Sequence, residues 1–248
     1  MNWVKGFYTK QYDWMDLNDE HMLEAENERL QHLEKFSHRP TQSILELGGG
    51  KGYFAVAAAL KGYEVTVIEL TENAVDHIHK LAQHYHVAEK ITVIQGDFYQ
   101  ADLPDQFDVV CYWDSFGIGT DTDQQRLLIR IRQWLKSGAT AFIDIYTPWF
   151  WAGAAGQSMS FRNGIQREYG FDAEGCRMLD SWWEKGREQD QVMQSLRCYS
   201  PADLQLLMNR LDLETVHIEP GGTMDYAEGQ YIEKAPLHKA MSYLAVIK

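Results

Sequence analysis

A chain of 248 residues, 45% hydrophobic and 24% charged, has room for one full hydrophobic core with appended elements, and its composition is that of an ordinary soluble globular protein. A formal net charge of −13 with no basic run argues against nucleic acid and against an anionic membrane surface as partners.

In chain order, Asp13 to Phe36 carries Met22, Leu23, Leu30 and Leu33 near helical spacing before a break at Pro40, which predicts an N-terminal helical lid. Ile44, Leu45 and Leu47 read as the end of a buried strand, followed by glycines and a helix from Lys51 to Leu60. Glu64 to Ile68 is a β-branched run ending at Glu69, the second strand of a βαβ unit. Val75, Ile78, Ala82 and Tyr85 stripe a helix, and Ile91 to Gln95 forms a third strand. Phe107 to Tyr112 is a fourth strand, and Leu127, Leu128, Ile131, Trp134 and Leu135 stripe the next helix. Ala139 to Tyr146, after a stop at Gly138, is a fifth strand.

Beyond Pro148 the alternation ceases, and 148–199 is expected to be an insertion of antiparallel strands, with segments at Met178 to Trp183 and Val192 to Tyr199. Ser200-Pro201-Ala202-Asp203 starts a helix running to about Leu211: a capping serine, proline at the first helical position and an acid in the first turn. Leu213 to Glu219 and Met241 to Ile247 would be the last strands, with Gly221-Gly222 opening the loop between them.

Between Ile44 and Phe54 the chain reads I-L-E-L-G-G-G-K-G-Y-F. Gly48, Gly49, Gly50 and Gly52 let the backbone turn sharply and approach a ligand, with a helix N-terminus behind them. Glu46, two residues before the first glycine, would repel a pyrophosphate and suits a cation instead; S-adenosylmethionine carries both an ammonium and a sulfonium. A phosphate-binding P-loop fails because Lys51 is followed by Gly52, whereas a nicotinamide fingerprint is met permissively by Gly50-x-Gly52-x-x-Ala55. Glu69 and Asp97 add two further acids at successive strand ends, and in an open α/β sheet ligands lie outside those carboxyl ends. Asp97 can accept from an adenine amino group while Phe98 offers its face to the ring.

These residues, E-L-G-G-G-K-G (46–52), V-I-E-L (67–70), G-D-F (96–98) and F-D-V-V-C-Y-W-D-S-F (107–116), resemble the class I S-adenosylmethionine-dependent methyltransferases over roughly residues 40 to 147. The resemblance implies a Rossmann-like α/β fold: a seven-stranded, mostly parallel sheet with an antiparallel last strand and helices on both faces. An N-terminal lid (1–40), cofactor-binding core (41–147), acceptor-side insertion (148–199) and C-terminal helix and strand hairpin (200–248) would form one domain. It also implies that Glu46 and the glycines hold the methionine part, Glu69 the ribose, and Asp97 with Phe98 the adenine. Phe54 and Leu70 lie beside them, and Glu46 replaces the family's commoner aspartate. Trp113, Asp114 and Ser115 would sit at the reactive end, and Tyr8 and Tyr12 resemble N-terminal tyrosines that close over the methionine. The acceptor-binding residues match no family pattern.

The expected reaction is methyl transfer to a nitrogen or oxygen of a small molecule, yielding S-adenosylhomocysteine; the alternatives are an NAD(P)-dependent oxidoreductase or a noncatalytic cofactor-binding module. Asp114 is the first candidate for acceptor contact or general base, ahead of Tyr146 and His21; each also has a structural reading, as a loop cap, a core tyrosine and an exposed helix histidine. Trp149 to Trp151, Phe161, Tyr169, Trp182 and Trp183 would either wall an acceptor pocket or form a satellite core. Arg162, Arg167, Arg177 and Arg197 would either meet an acceptor carboxylate or pair on the surface. Cys111, Cys176 and Cys198 lack CxxC spacing and the nine histidines lack ligand spacing, so no disulfide framework and no metal are expected. With no apolar signal core at the start and no apolar stretch long enough for a span, a cytoplasmic monomer or homodimer is expected.

Overall fold

The computed structural model describes residues 2–15, 19–37 and 39–248. Two helices come first, α1 (Asn2–Trp14) and α2 (Asp19–Phe36). Strand and helix then alternate: β1 (Ser43–Leu47), α3 (Tyr53–Leu60), β2 (Glu64–Glu69), α4 (Glu72–His84), β3 (Ile91–Gln95), β4 (Phe107–Tyr112), α5 (Asp121–Trp134) and β5 (Leu135–Tyr146). The rest comprises α6 (Pro148–Ala154), β6 (Ser158–Ser160), β7 (Ile165–Asp172), β8 (Arg177–Glu184), β9 (Val192–Arg197), α7 (Pro201–Leu207), β10 (Thr215–Pro220), β11 (Thr223–Asp225), β12 (Gln230–Ile232) and β13 (Ser242–Ile247). The principal sheet has seven strands in the order β10-β13-β5-β4-β1-β2-β3; a four-stranded sheet β6-β7-β8-β9 and a β11-β12 hairpin are separate from it.

The chain divides into two compact units. The first holds Tyr8–Trp113, Ile129–Phe142 and Val246–Lys248. In it β1 is flanked by β2 and β4 in parallel, Glu46 lying opposite Val67 on one side and Cys111 on the other. β4 is buried along its whole length and α3 is buried from Tyr53 to Ala59, so both read as nearly continuous apolar runs, the pattern of a parallel sheet covered by helices. α2 buries Leu23, Glu26, Leu30 and Leu33 along one stripe, and each of these leucines contributes about 1.5–3 kcal/mol by leaving water.

The second unit holds Met1–Phe7, Asp114–Leu128 and Ile143–Ala245. Its four-stranded sheet is antiparallel, β7 pairing with β8 from Ile165↔Glu184 to Asp172↔Arg177, and β8 with β9. Trp151 and Tyr169 meet edge to face at 5.1 Å, Tyr146 lies 5.0 Å from Trp151, and Phe161 stacks on Trp182 at 5.3 Å. With Trp151, Tyr169 and Trp182 all buried, this aromatic concentration forms a satellite core.

Several expected boundaries shift. The lid begins with a separate helix, α1, where only Asp13 onward was expected to be helical. Helix α3 starts at Tyr53 instead of Lys51, because Gly52 at its N-cap is left-handed (φ 82°). The fifth strand starts at Leu135, and Gly138 (φ 73°) lies inside it instead of ending the preceding helix. Trp149 to Trp151 belong to α6 instead of a strand, since Thr147 occupies the N-cap in extended conformation and Pro148 the first turn. Helix α7 keeps its capping box, Ser200 with Asp203, but ends at Leu207; Arg210 and Asp212 at positive φ turn the chain before β10.

Candidate functional site

Parallel register brings three acidic strand ends side by side in the first unit. Glu46 lies in central β1, Glu69 ends β2, and Asp97 follows β3, where the Gly96 N–H donates to the Glu69 carbonyl at 2.8 Å. The glycine loop crosses the end of β1, its turn opened by the Gly48 N–H donating to the Ile68 carbonyl at 2.8 Å.

Glu46 is 2% exposed, and its Oε2 has no hydrogen-bond partner among the described residues. A Cβ on Gly49 would come within 3.3 Å of that oxygen and 2.3 Å of Val67, so only glycine lets the loop lie this close over the carboxylate. Burial raises the Glu46 pKa well above the ordinary carboxylate range; Glu26 and, more weakly, Glu69 add to the rise, while Arg29 opposes it. A buried carboxylate oxygen lacking a donor is costly, and a ligand ammonium is the group that would satisfy it.

Glu69 is as deeply buried, but both of its oxygens accept hydrogen bonds. Its Oε2 accepts from the Gly50 N–H at 3.0 Å, and its Oε1 from the Thr71 N–H and hydroxyl at 2.8 Å each. Burial raises its pKa and these bonds hold the rise back. The residue expected to meet a ribose therefore also pins the glycine loop. Glu69→Ala should lower the stability of the unliganded protein by about 1–3 kcal/mol, read by urea unfolding without cofactor. An unchanged midpoint would remove the pinning role.

Asp97 is half-buried, and its Oδ1 accepts from the Tyr99 N–H at 2.8 Å, an Asx turn. Phe98 meets Tyr112 edge to face at 5.3 Å and Tyr99 at 4.9 Å. Burial pushes the Tyr112 hydroxyl up, with Tyr8, Tyr99 and Tyr12 near enough to add to it. Tyr8 and Tyr12 lie 5.9 Å apart, and the Tyr12 hydroxyl stands 3.2 Å from where a Gly50 Cβ would be.

The two N-terminal helices are tied to this cradle. Asn73 donates to the Thr9 carbonyl at 3.0 Å and to Asp13 at 2.8 Å, Lys51 donates to the Met15 carbonyl at 3.2 Å, and the Tyr53 hydroxyl donates to Asp19 at 2.7 Å. Asp19 provides a contact at this end of α2, and His21 is exposed on the helix's first turn. Phe54 packs 5.0 Å from Trp113, over whose ring the Arg29 guanidinium lies at 4.9 Å; Leu70 is half-buried after Glu69.

In the second unit, Asp114 is exposed with a left-handed backbone (φ 58°), and Ser115 is half-buried. The loop after them is clamped by Arg177, which donates to the Gly119 carbonyl at 2.8 Å and the Gly117 carbonyl at 3.2 Å. Arg197 pairs with Asp121 at 3.3 Å and Arg167 with Asp180 at 2.8 Å, so three of the four arginines considered for an acceptor carboxylate hold the protein itself. Tyr146 is half-buried against Trp151. Sequence reasoning overlooked Glu26 and Arg29; the signal was an acid on the Leu23, Leu30, Leu33 stripe with an arginine three residues on.

Residues 44–138 match the sequence pattern of the methyltransferase domain family. This segment of the chain is similar to methyltransferase domains. The match includes the Glu46 cradle, Glu69, Asp97 and Asp114. Among curated proteins, the chain is 32% identical over 80 residues to a release factor glutamine methyltransferase of Rhodopirellula baltica, covering 31% of this chain and 27% of that protein. It is 27% identical over 136 residues to a cypemycin N-terminal methyltransferase of a Streptomyces species, covering 53% and 54%. The chain thus spans about a quarter to a half of these relatives. Among solved structures, the CcbJ methyltransferase of Streptomyces caelestis is similar at a TM-score of 0.74 and 20% identity, over 96% of this chain and 94% of that one. An S-adenosylmethionine-dependent methyltransferase of Clostridium acetobutylicum gives 0.71 at 13% identity, over 98% of each chain. The glycopeptide N-methyltransferase MtfA gives 0.59 at 16% identity, over 90% of each. At these identities the likeness is one of fold: the methyltransferase fold extends across both the matched domain and the segments around it.

Proposed function

We propose that this chain is an S-adenosylmethionine-dependent methyltransferase that modifies a nitrogen or oxygen of a small organic acceptor. The observation that carries the reading is the buried Glu46 Oε2, without a hydrogen-bond partner among the described residues, beneath the glycine loop at the carboxyl end of β1. It fits the ammonium of the cofactor's methionine part, and the same charge is repulsive to the pyrophosphate of a nicotinamide dinucleotide. Glu69 would meet the ribose through its remaining lone pairs, and Asp97 with Phe98 the adenine. When bound, S-adenosylmethionine supplies an electrophilic methyl on a sulfonium, open to in-line displacement by an acceptor lone pair. The protein then mainly positions and dehydrates, and alignment of this kind is worth about 7–11 kcal/mol.

A net charge of −13 and an aromatic-rich second unit support an organic acceptor that is neutral or cationic over a phosphate-bearing one. The glycopeptide N-methyltransferase among the similar folds is consistent with a nitrogen acceptor.

Titration calorimetry with S-adenosylhomocysteine and with NADH tests the cofactor. Binding of the first and not the second is expected; no heat from S-adenosylhomocysteine at millimolar concentration would falsify the reading. Asp114, the first exposed carboxylate after β4, is proposed to orient the acceptor or take its proton. Asp114→Asn should then lower kcat by about 10²-fold or more while leaving cofactor affinity within about twofold. A kcat within error of wild type would reduce Asp114 to a loop residue.

A further inference from the structure

Resting on that cofactor reading, we infer that Arg130 of α5 is a positioning residue: it fixes the Asp97–Ala101 turn after β3 and so sets the selectivity for adenine over a base lacking its amino group.

Arg130 and this turn lie in the same compact unit, the first. The turn starts from Gly96, whose N–H donates to the Glu69 carbonyl at 2.8 Å, and it closes on Asp97. The Asp97 carbonyl accepts from the Gln100 N–H at 2.8 Å and the Ala101 N–H at 2.9 Å, while the Asp97 side chain accepts from the Tyr99 N–H at 2.8 Å. Those bonds engage the turn's N–H groups. Two of its carbonyls are met from outside by one side chain: Arg130 Nε donates to the Phe98 carbonyl at 2.9 Å, and Nη2 to the Ala101 carbonyl. The half-buried guanidinium lies over the ring of buried Trp134 at 4.7 Å, one helical turn further along α5.

A guanidinium presents its donors in a planar fork of fixed spacing, so two carbonyls held by one fork are fixed in distance and direction. The residues held in this way are those proposed for the adenine, Asp97 and Phe98. Their two contacts would respond differently to a shift of the turn. A hydrogen bond from the amino group to the Asp97 carboxylate needs about 2.7–3.2 Å and good alignment, and a displacement of about 1 Å breaks it. The apolar contact with Phe98, which packs 5.3 Å from Tyr112, has no such directional demand. Loss of Arg130 should therefore fall on recognition of the amino group more than on binding of the rest of the cofactor.

Calorimetry with three ligands tests this on wild type, Arg130→Met and Arg130→Lys. The ligands are S-adenosylhomocysteine; S-inosylhomocysteine, in which a carbonyl replaces the adenine amino group; and methylthioadenosine, which keeps the adenine and lacks the amino-acid end. Wild type should prefer S-adenosylhomocysteine to the inosyl analogue by about tenfold or more, the loss expected for one hydrogen bond to a charged acceptor. In Arg130→Met that preference should shrink to about threefold or less, while the ratio of S-adenosylhomocysteine to methylthioadenosine affinity stays within about twofold of wild type. Arg130→Lys keeps the charge and can reach one carbonyl, so its selectivity should fall between the two. A misfolded fraction lowers the stoichiometry and leaves each affinity ratio intact. Where Arg130→Met does not fold, Arg130→Lys decides alone.

Wild-type selectivity in the variants, or one common weakening of all three ligands, would reduce Arg130 to support of the fold and overturn the inference. A wild type that does not distinguish the inosyl analogue overturns it as well, because the turn then does not read the amino group. The cofactor reading survives each of these results. If wild type binds no S-adenosylhomocysteine, both fall.

Discussion

Glu46→Gln is expected to weaken S-adenosylhomocysteine binding by about 2–4 kcal/mol, thirtyfold to roughly a thousandfold, while making the unliganded protein more stable at neutral pH. Both effects come from one atom. The buried Oε2 has no donor among the described residues, so the free protein bears its desolvation and the bound state recovers it through the ammonium. Gln keeps the shape and one acceptor oxygen but removes the charge. The pH dependence has a definite sign. Glu46 has a folded-state pKa raised by burial above its ordinary value of roughly 4.3, so the native state binds the extra proton. Its contribution to stability is complete below the unfolded pKa and is lost as pH rises through the raised folded value. Wild type should therefore lose stability relative to Glu46→Gln as pH climbs from about 4 toward neutrality. Urea unfolding across that window measures it. A variant that binds as tightly as wild type would place the ammonium elsewhere, and one less stable at pH 7 would mean that the protein already satisfies Glu46.

The cradle could be read from sequence because each part is local. β1, β2, β3 and β4 are short apolar or β-branched runs with clear ends, and each candidate acid follows its run within two residues or lies inside it. Parallel pairing then brings sequence-distant strand ends to one edge. What escaped prediction depends on tertiary placement. Glu26 has the charge of a surface residue and is buried because its stripe packs on α3. Arg167, Arg177 and Arg197 have acids or carbonyls as partners across strands and loops, which spacing alone cannot assign. Helix α6 is different, since Thr147-Pro148 repeats the helix start recognised at Ser200-Pro201 but lies in the segment expected to be an insertion of antiparallel strands.

Arg167→Met is expected to cost the four-stranded sheet about 3–5 kcal/mol, the largest loss of stability from one substitution in the second unit. Arg167 on β7 and Asp180 on β8 are diagonal neighbours across an antiparallel pair, because Arg167 lies opposite Trp182 and Tyr169 opposite Asp180. The guanidinium donates to both carboxylate oxygens at 2.8 Å and lies over Tyr169 at 4.5 Å and Trp182 at 4.7 Å. Asp180 is fully buried, and among the described residues the Gln194 amide is its other side-chain donor, at 2.9 Å. Removing the arginine leaves that buried carboxyl without its ion-pair partner beside the Gln194 amide, whereas removing both charges leaves an apolar gap that Met and Leu can fill. The double variant Arg167→Met/Asp180→Leu should therefore recover most of the loss, giving a coupling energy of about 2 kcal/mol or more. Urea unfolding followed by tryptophan fluorescence completes the cycle. A single variant within about 1 kcal/mol of wild type, or a double variant no better than the single, would show that the pair does not hold the sheet. An arginine released from that structural duty would then regain its place among the candidates for binding an acceptor's carboxylate.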